Sequence, residues 1–327
     1  MEALKFRKAI LLVSLCLWTL TVFPQVKEDT IFQSDYLLIL NTYTSDAPWS
    51  NAIISPVLQW LNMERKTEVY VENMNMLMID DSLKLADLKT NIFAKYGKKK
   101  PKAVLLLGNS MMLFRNEMRE AWGDVPLILC GEESYMGPDD CYIKKYPVVP
   151  SEQVPLTNFT EEYNLTLLQT RVFIEENVKL LQHMIPGMKK IILIGDGRYV
   201  NQQLNTDMKQ LLQKAYPELE YDFYSAANMT TDSLLLKLNK VDSATTGVLL
   251  SSWFTRQVVA GNVQLQANSF QVISNSVTPI FALKNSLVVN SGMIGGFMYS
   301  QTDFNEQLLK TLSAVLSGVA PRTIPFY

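Results

Sequence analysis

Two pairs of acids, Glu132-Glu133 and Asp139-Asp140, follow the apolar run Val125–Cys130, and carboxylates grouped near one strand end could supply the acid and base of glycoside cleavage. Adjacent residues on a strand point to opposite faces, so neighbouring numbers alone do not make a dyad. A second candidate is Gly195-Asp196-Gly197, after one apolar run and before a helix-like stretch, where phosphate could meet free helix amides. Val200 stands where the dinucleotide fingerprint needs Gly or Ala, and the motif lies in mid-chain; a tight turn whose Asp caps the next helix fits it better. There is no P-loop and no G-x-S-x-G elbow. The single histidine, His183, lies at a helix end outside every polar cluster, so serine chemistry lacks its base. Cysteine and histidine spacing offers no metal site. The expectation is a non-enzyme with neither cofactor nor metal.

What remains is suited to holding a ligand without transforming it. Tyr43, Thr44, Asp46 and Trp49 follow one apolar run; Asn109 and Ser110 follow another; Glu132 and Ser134 follow a third. The second half adds Asp196, Arg198 and Tyr199, then Trp253 and Phe254. Aromatic rings give flat apolar contact while amides, hydroxyls and charges fix orientation. Each of these residues also has a plain alternative, as a helix cap or a packing group.

The elements that must position them are six continuous Val/Ile/Leu runs, each ending in a polar or aromatic cluster. They begin at Tyr36, Ala103, Val125, Lys190, Gly247 and Thr278. Runs without alternation are strands covered on both faces, and helix-like stretches between them imply parallel βαβ connections, so the class is α/β with mainly parallel sheets. In such sheets ligands collect at the carboxyl ends of the strands.

Along the chain, strands are expected over 36–43, 68–73, 103–109 and 125–131, with helices over 49–63, from Asp81 or Ser82, and over 110–122. Pro138, Pro147, Pro150 and Pro155 make 137–160 an irregular linker. A second series follows: helix 165–184, strand 190–195, helix 201–216, strand 220–224, helix 231–239, strand 247–252, a helix around 263–275 and strand 278–283. A flexible passage through Ser291 and Gly292 leads to a last helix, 304–316. The two halves repeat one architecture, and Pro325-Phe326-Tyr327 falls where another strand could begin, which suggests an excerpt from a longer protein.

A formal net charge of -2 gives no basic field to hold nucleic acid or an anionic membrane. Hydrophobic residues at 48% and charged ones at 19% fit a folded chain. Lys5, Arg7 and Lys8 precede an apolar stretch, Ala9 to Phe23, ended by Pro24: the layout of a signal peptide or membrane anchor over residues 1–25. Cys16 lacks the small preceding residue of a lipidation site, Leu15 standing there. Export would put Cys130 and Cys141 in an oxidising compartment, where they could pair or remain a buried thiol and an unrelated one.

Together the opening strand with its Tyr43-Thr44 end, the strand ends at Asn109 and Glu132, the stretch from Lys190 to Leu204, and the late run Pro279 to Phe297 resemble the type I periplasmic binding proteins. The resemblance is to the ABC-transporter substrate-binding-like group, whose relatives also form extracytoplasmic sensor regions of bacterial histidine kinases. It implies two Rossmann-like lobes, 35–136 with about 286–318, and 161–285, closing on a small-molecule ligand by hinge motion. Cleft residues of the family fall on Tyr43, Thr44, Trp49, Asn109, Ser110, Asp196 and Tyr199, and Ser291 lies where the chain recrosses. The implied role is a sensor domain, tethered at the inner membrane and continuing past Tyr327 into a kinase, with a homodimer as working form. A free importer subunit is the alternative.

Overall fold

A computed structural model describes residues 36–64, 67–259, 262–285 and 293–327. The leader over 1–25 and Ser291 lie outside the described residues. No described helix is long and apolar enough to cross a membrane.

Two parallel sheets carry the fold. The first sheet takes β1 (Tyr36–Asn41), β2 (Glu68–Asn73), β3 (Ala103–Leu107), β4 (Leu127–Gly131) and β5 (Leu165–Gln169) in the order β2-β1-β3-β4-β5. Its helices are α1 (Pro48–Glu64), α2 (Ser82–Tyr96), α3 (Arg115–Trp122) and the short α4 (Asp139–Lys144). Asp81 caps α2, its side chain accepting from the Lys84 amide at 2.8 Å. β1 is buried at every position because alternate residues feed two cores. Leu38 and Leu40 pack with Leu85, Ile92 and Met118 of α2 and α3, while Leu37 and Ile39 meet Ile53 and Val57 of α1.

The second sheet takes β6 (Lys190–Gly195), β7 (Glu220–Ser225), β8 (Thr246–Leu250) and, once the rest of the chain is placed, a two-residue strand at Phe281–Ala282. Around it lie α5 (Ile174–Met184), α6 (Tyr199–Ala215) and α7 (Thr231–Leu238). Between β8 and that last strand come an antiparallel hairpin of β9 (Phe254–Val259) and β10 (Asn262–Ala267), and α8 (Ser269–Asn275). With Phe281–Ala282 as β11, the order is β7-β6-β8-β11, the same pattern as in the first sheet without its fifth strand. The last helix, α9 (Gln301–Leu316), returns to the first lobe, where Phe304, Leu308 and Leu312 pack on the α1 side of the sheet.

Several expectations need correction. The long helix over 165–184 is β5 followed by α5: β4 would otherwise present an open edge, and parallel pairing of Leu127 with Leu165 through Gly131 with Gln169 covers it. The chain therefore changes lobes after Gln169, not within 137–160. That Pro-rich segment belongs to the first lobe, where Cys141, Tyr142, Val148 and Leu156 are buried in its core. The helix around 263–275 is β10 and then α8. Helix 110–122 begins as a 3-10 segment, Asn109–Phe114, before α3. Cys130 and Cys141 are free thiols: Cys130 packs on the α1 side of the first sheet and Cys141 in the core on the opposite side, so the sheet separates them. Burial pushes both thiols up, leaving them protonated and inert.

Candidate functional site

Strand order decides where side chains can converge. In both sheets the first and third strands of the lobe are neighbours whose connections leave on opposite faces, the switch point at which a crevice opens beyond the strand ends. In the first lobe these ends are Asn41 to Tyr43 and Gly108 to Ser110; in the second they are Gly195-Asp196 and Ser251-Ser252.

The first-lobe end is held by neutral hydrogen bonds. Asn41 Nδ2 donates to Asn73 Oδ1 at 2.7 Å, and the Thr42 and Ser110 hydroxyls share a 2.9 Å bond across the switch point. That approach needs Gly108, whose φ is 95° and where a Cβ would stand 2.6 Å from Thr42 Oγ1. Asn109 ties the loop after β4 in place: its Nδ2 donates to the Glu133 carbonyl at 2.9 Å, and its Oδ1 accepts from the Glu132 amide at 3.1 Å.

The second-lobe end is held by charge. Asp196, fully buried, accepts from Arg198 Nε and Nη2, each at 2.9 Å, from Asn201 Nδ2 at 2.8 Å and from Ser252 Oγ at 2.9 Å. Burial works against its ionisation, but the charge and hydrogen bonds of Arg198 prevail and hold the carboxyl below the usual range. The Arg198 guanidinium lies over Phe254 at 4.1 Å and over Tyr43 of the first lobe at 4.9 Å. A cation between two rings is favourable when desolvated. Further contacts join the lobes, among them Tyr142 against Tyr199 at 4.5 Å, the Val148 amide to Gln203 Oε1 at 2.8 Å, Arg256 Nη2 to the Leu77 carbonyl at 3.2 Å, and the Lys284–Glu132 ion pair, almost wholly buried.

Between the lobes lies a cavity lined by Thr42, Tyr43, Thr44, Asn75 to Leu77, Gly108 to Ser110, Tyr142, Lys145, Arg198 to Val200 and Phe254. Its free interior is about 40 Å³, space for about three waters at roughly 10–15 Å³ each. A ligand the size of a single ring must therefore part the lobes to enter. Beside it runs an open polar groove of about 810 Å³, bordered by Lys145, Ala226 to Asp232, Phe254 to Arg256 and Asn268.

Of the expected ligand residues, Tyr43, Thr44, Asn109, Ser110, Arg198 and Tyr199 line the cavity. Trp49 stands behind Tyr43, edge to face at 5.5 Å, and lines a smaller side pocket with Arg198 and Lys284. Asp196 is consumed by its network. Three others stand apart from the cavity. Asp46 is exposed on the loop before α1. Glu132 is engaged by Lys284. Trp253 is in the second-lobe core, its indole N–H donating to Thr231 Oγ1 at 3.0 Å; one residue of register turns Phe254 toward the cleft in its place.

Sequence reasoning missed Asn75, Tyr142 and Lys145. Asn75 and Lys145 are the two non-glycine residues with positive φ among those described, at 46° and 60°. Left-handed backbone at such residues is uncommon and gathers at ligand sites. Glu133 follows β4 beside Glu132, with nothing in the sequence to mark it off from its neighbour. It is buried, with Oε2 unbonded among the described residues, and burial and the neighbouring Glu132 charge push its carboxyl up to about 8.

No protein-family model and no curated protein sequence matches the chain. Solved structures do match in shape. The ABC domain in complex with L-Trp from Streptococcus pneumonia is 16% identical, with a TM-score of 0.54, over 89% of this chain and 88% of that one. A conserved domain protein from Vibrio cholerae O1 biovar El Tor is 13% identical, with a TM-score of 0.56, over 90% and 88%. The ligand-free, open structure of a substrate-binding protein with adhesive properties from Clostridium difficile is 10% identical, with a TM-score of 0.52, over 90% and 88%. Strand order, the repeated lobe and these likenesses agree: the chain has the fold of the type I periplasmic binding proteins.

Proposed function

We propose that the chain is an extracytoplasmic ligand-binding domain, in which a small molecule enters between the lobes and stabilises one interlobe arrangement over another. The observation that carries this reading is the convergence on one cavity of residues that follow the strand ends of both lobes, the first giving rings, hydroxyls and amides and the second the Arg198 guanidinium and the rings of Tyr199 and Phe254. The basic-then-apolar leader supports export. The L-Trp bound by the Streptococcus pneumonia structure supports a ligand of about the size of one aromatic amino acid. We read the domain as the input region of a membrane-bound sensor histidine kinase: lobes that hold each other through Arg198, Gln203 and Lys284 suit a two-state switch. Delivery of cargo to an importer is the alternative, and co-purification with a permease instead of a kinase would select it.

The test is thermal denaturation of the full chain with aromatic acids, amino acids, sugars and nucleosides in turn. A true ligand at about 100 times its Kd adds roughly 2.7 kcal/mol of stability, a rise in Tm of several degrees. Silence across all four classes would overturn the small-ligand reading.

A further inference from the structure

Every charged side chain on the cavity lining is a cation: Lys145 and Arg198 are there, and neither Asp nor Glu is. Arg198 is neutralised by Asp196. Among the described residues no carboxylate pairs with Lys145: its ammonium donates to two backbone carbonyls, of Ile79 and of Ile143, the latter at 2.8 Å. Its nearest carboxylate influence, Asp80, is paired with Lys84 at 2.5 Å. Arg256, from the β9–β10 hairpin of the second lobe, likewise rests on a carbonyl, that of Leu77, two residues before Ile79. One short segment thus collects two cations, one from each lobe. Carbonyl dipoles hold these charges in place without cancelling them. Lys145 borders both the cavity and the groove, as do Leu77 and Phe254, while Arg256 borders the groove. Asp232, on α7, is the one acid of the groove lining.

Burial, helped by the nearby Arg256 and Lys84 charges, outweighs Asp80 and holds Lys145 down to about 8. Its left-handed backbone, φ 60°, is fixed by the packed segment around Tyr142 and Val148 rather than by its own preference. The rings of Tyr43, Tyr142, Tyr199 and Phe254 supply the flat apolar surface.

We propose that the cleft selects a small aromatic acid, a ring in the cavity with its anionic group held by Lys145 and Arg256 where cavity meets groove, and disfavours the same ring carrying an ammonium. This rests on the ligand-binding reading above and gives it a chemistry. An ammonium inside the cavity would find the Lys145 charge, an Arg198 already paired with Asp196 and, among the described lining residues, no free carboxylate, so a zwitterionic amino acid loses where a simple acid gains.

The test is calorimetric titration of the full chain with one ring and four head groups: 3-phenylpropionate, phenyl phosphate, L-phenylalanine and phenethylamine. At least one of the two anions is expected to bind, which also separates carboxylate from phosphate; the amino acid should bind at least about tenfold more weakly and the amine not at all. Lys145→Met should weaken the bound anion by about tenfold or more, the usual weight of a charge-assisted hydrogen bond, and Arg256→Met, at an exposed position, by less. Equal binding of acid and amine, or an unchanged anion affinity in both variants, would overturn the proposal. A sugar or nucleoside that binds when no ring compound does would overturn it and leave the ligand-binding reading standing; if nothing binds, both fall.

Discussion

The two lobes repeat one strand order but hold their switch points by opposite means. In the first, Asn41, Thr42, Asn109 and Ser110 form neutral hydrogen bonds. In the second, a fully buried carboxylate and a guanidinium form the centre of the network. A neutral network tolerates the loss of one member at the cost of an unsatisfied group, whereas half of a buried ion pair leaves an uncompensated charge. The fold dictates where polar groups gather; their chemistry is free to differ between copies of it.

The comparison breaks most sharply at Asp196. Asp196→Ala strands the Arg198 guanidinium and should remove about 3–5 kcal/mol of stability in urea denaturation. Asn109→Ala, its first-lobe counterpart, should remove about 1–3 kcal/mol by leaving the Glu133 carbonyl and the Glu132 amide unpaired. Equal losses would mean that the charge in the second lobe has no special weight. Tyr43→Leu, which takes one ring from Arg198, should cost about 0.5–2 kcal/mol in the same assay.

Glu133 sharpens the contrast, because it is a buried ionisable group directly behind the neutral first-lobe network, its backbone held by Asn109. Its carboxyl rises from 4.5 to about 8 in the folded protein, so the folded state holds a proton that the unfolded state releases. Stability from this group is complete below about pH 4.5 and is lost as pH climbs to about 8. Glu132, Lys284, Asp207 and the hydroxyls of Tyr135, Tyr142 and Tyr199 face it, and the Lys284 charge partly offsets the effect. Glu133→Gln should flatten the fall in Tm across that range. A slope unchanged by the substitution would assign the pH dependence elsewhere.

Much of this was legible in the chain. β1, β3 and β6 announce themselves because strands buried on both faces are uninterrupted apolar runs, and Asp81 marks the start of α2. β5 was hidden because LTLLQ lies just ahead of the amphipathic α5, and only the open edge of β4 shows that it must be a strand. The alternation of Val263, Leu265 and Ala267 has the period of two of β10, but the stretch runs straight into the helical Ser269–Asn275, which masks it. At the site, residues directly after the strands were readable: Tyr43, Asn109 and Arg198 come from such positions. Lys145 was not, since its place depends on how a Pro-rich segment folds back onto a core 60 or more residues away in sequence. Trp253 and Phe254 illustrate the finest limit, for composition cannot say which of two adjacent rings faces inward.

On the proposed ligand-binding reading, the contacts that hold the lobes together, the stacking of Arg198 between Tyr43 and Phe254 among them, set a response threshold. If the lobes rest together and only a fraction f of molecules stands open, a ligand binds with an apparent Kd larger than its intrinsic one by 1/f; an open fraction of about 1% raises the concentration needed about a hundredfold. Sensitivity is then adjustable away from the ligand: loosening the Val148–Gln203 bond, which lies off the cavity lining, would move the dose–response curve to lower concentration, and strengthening it would move the curve higher.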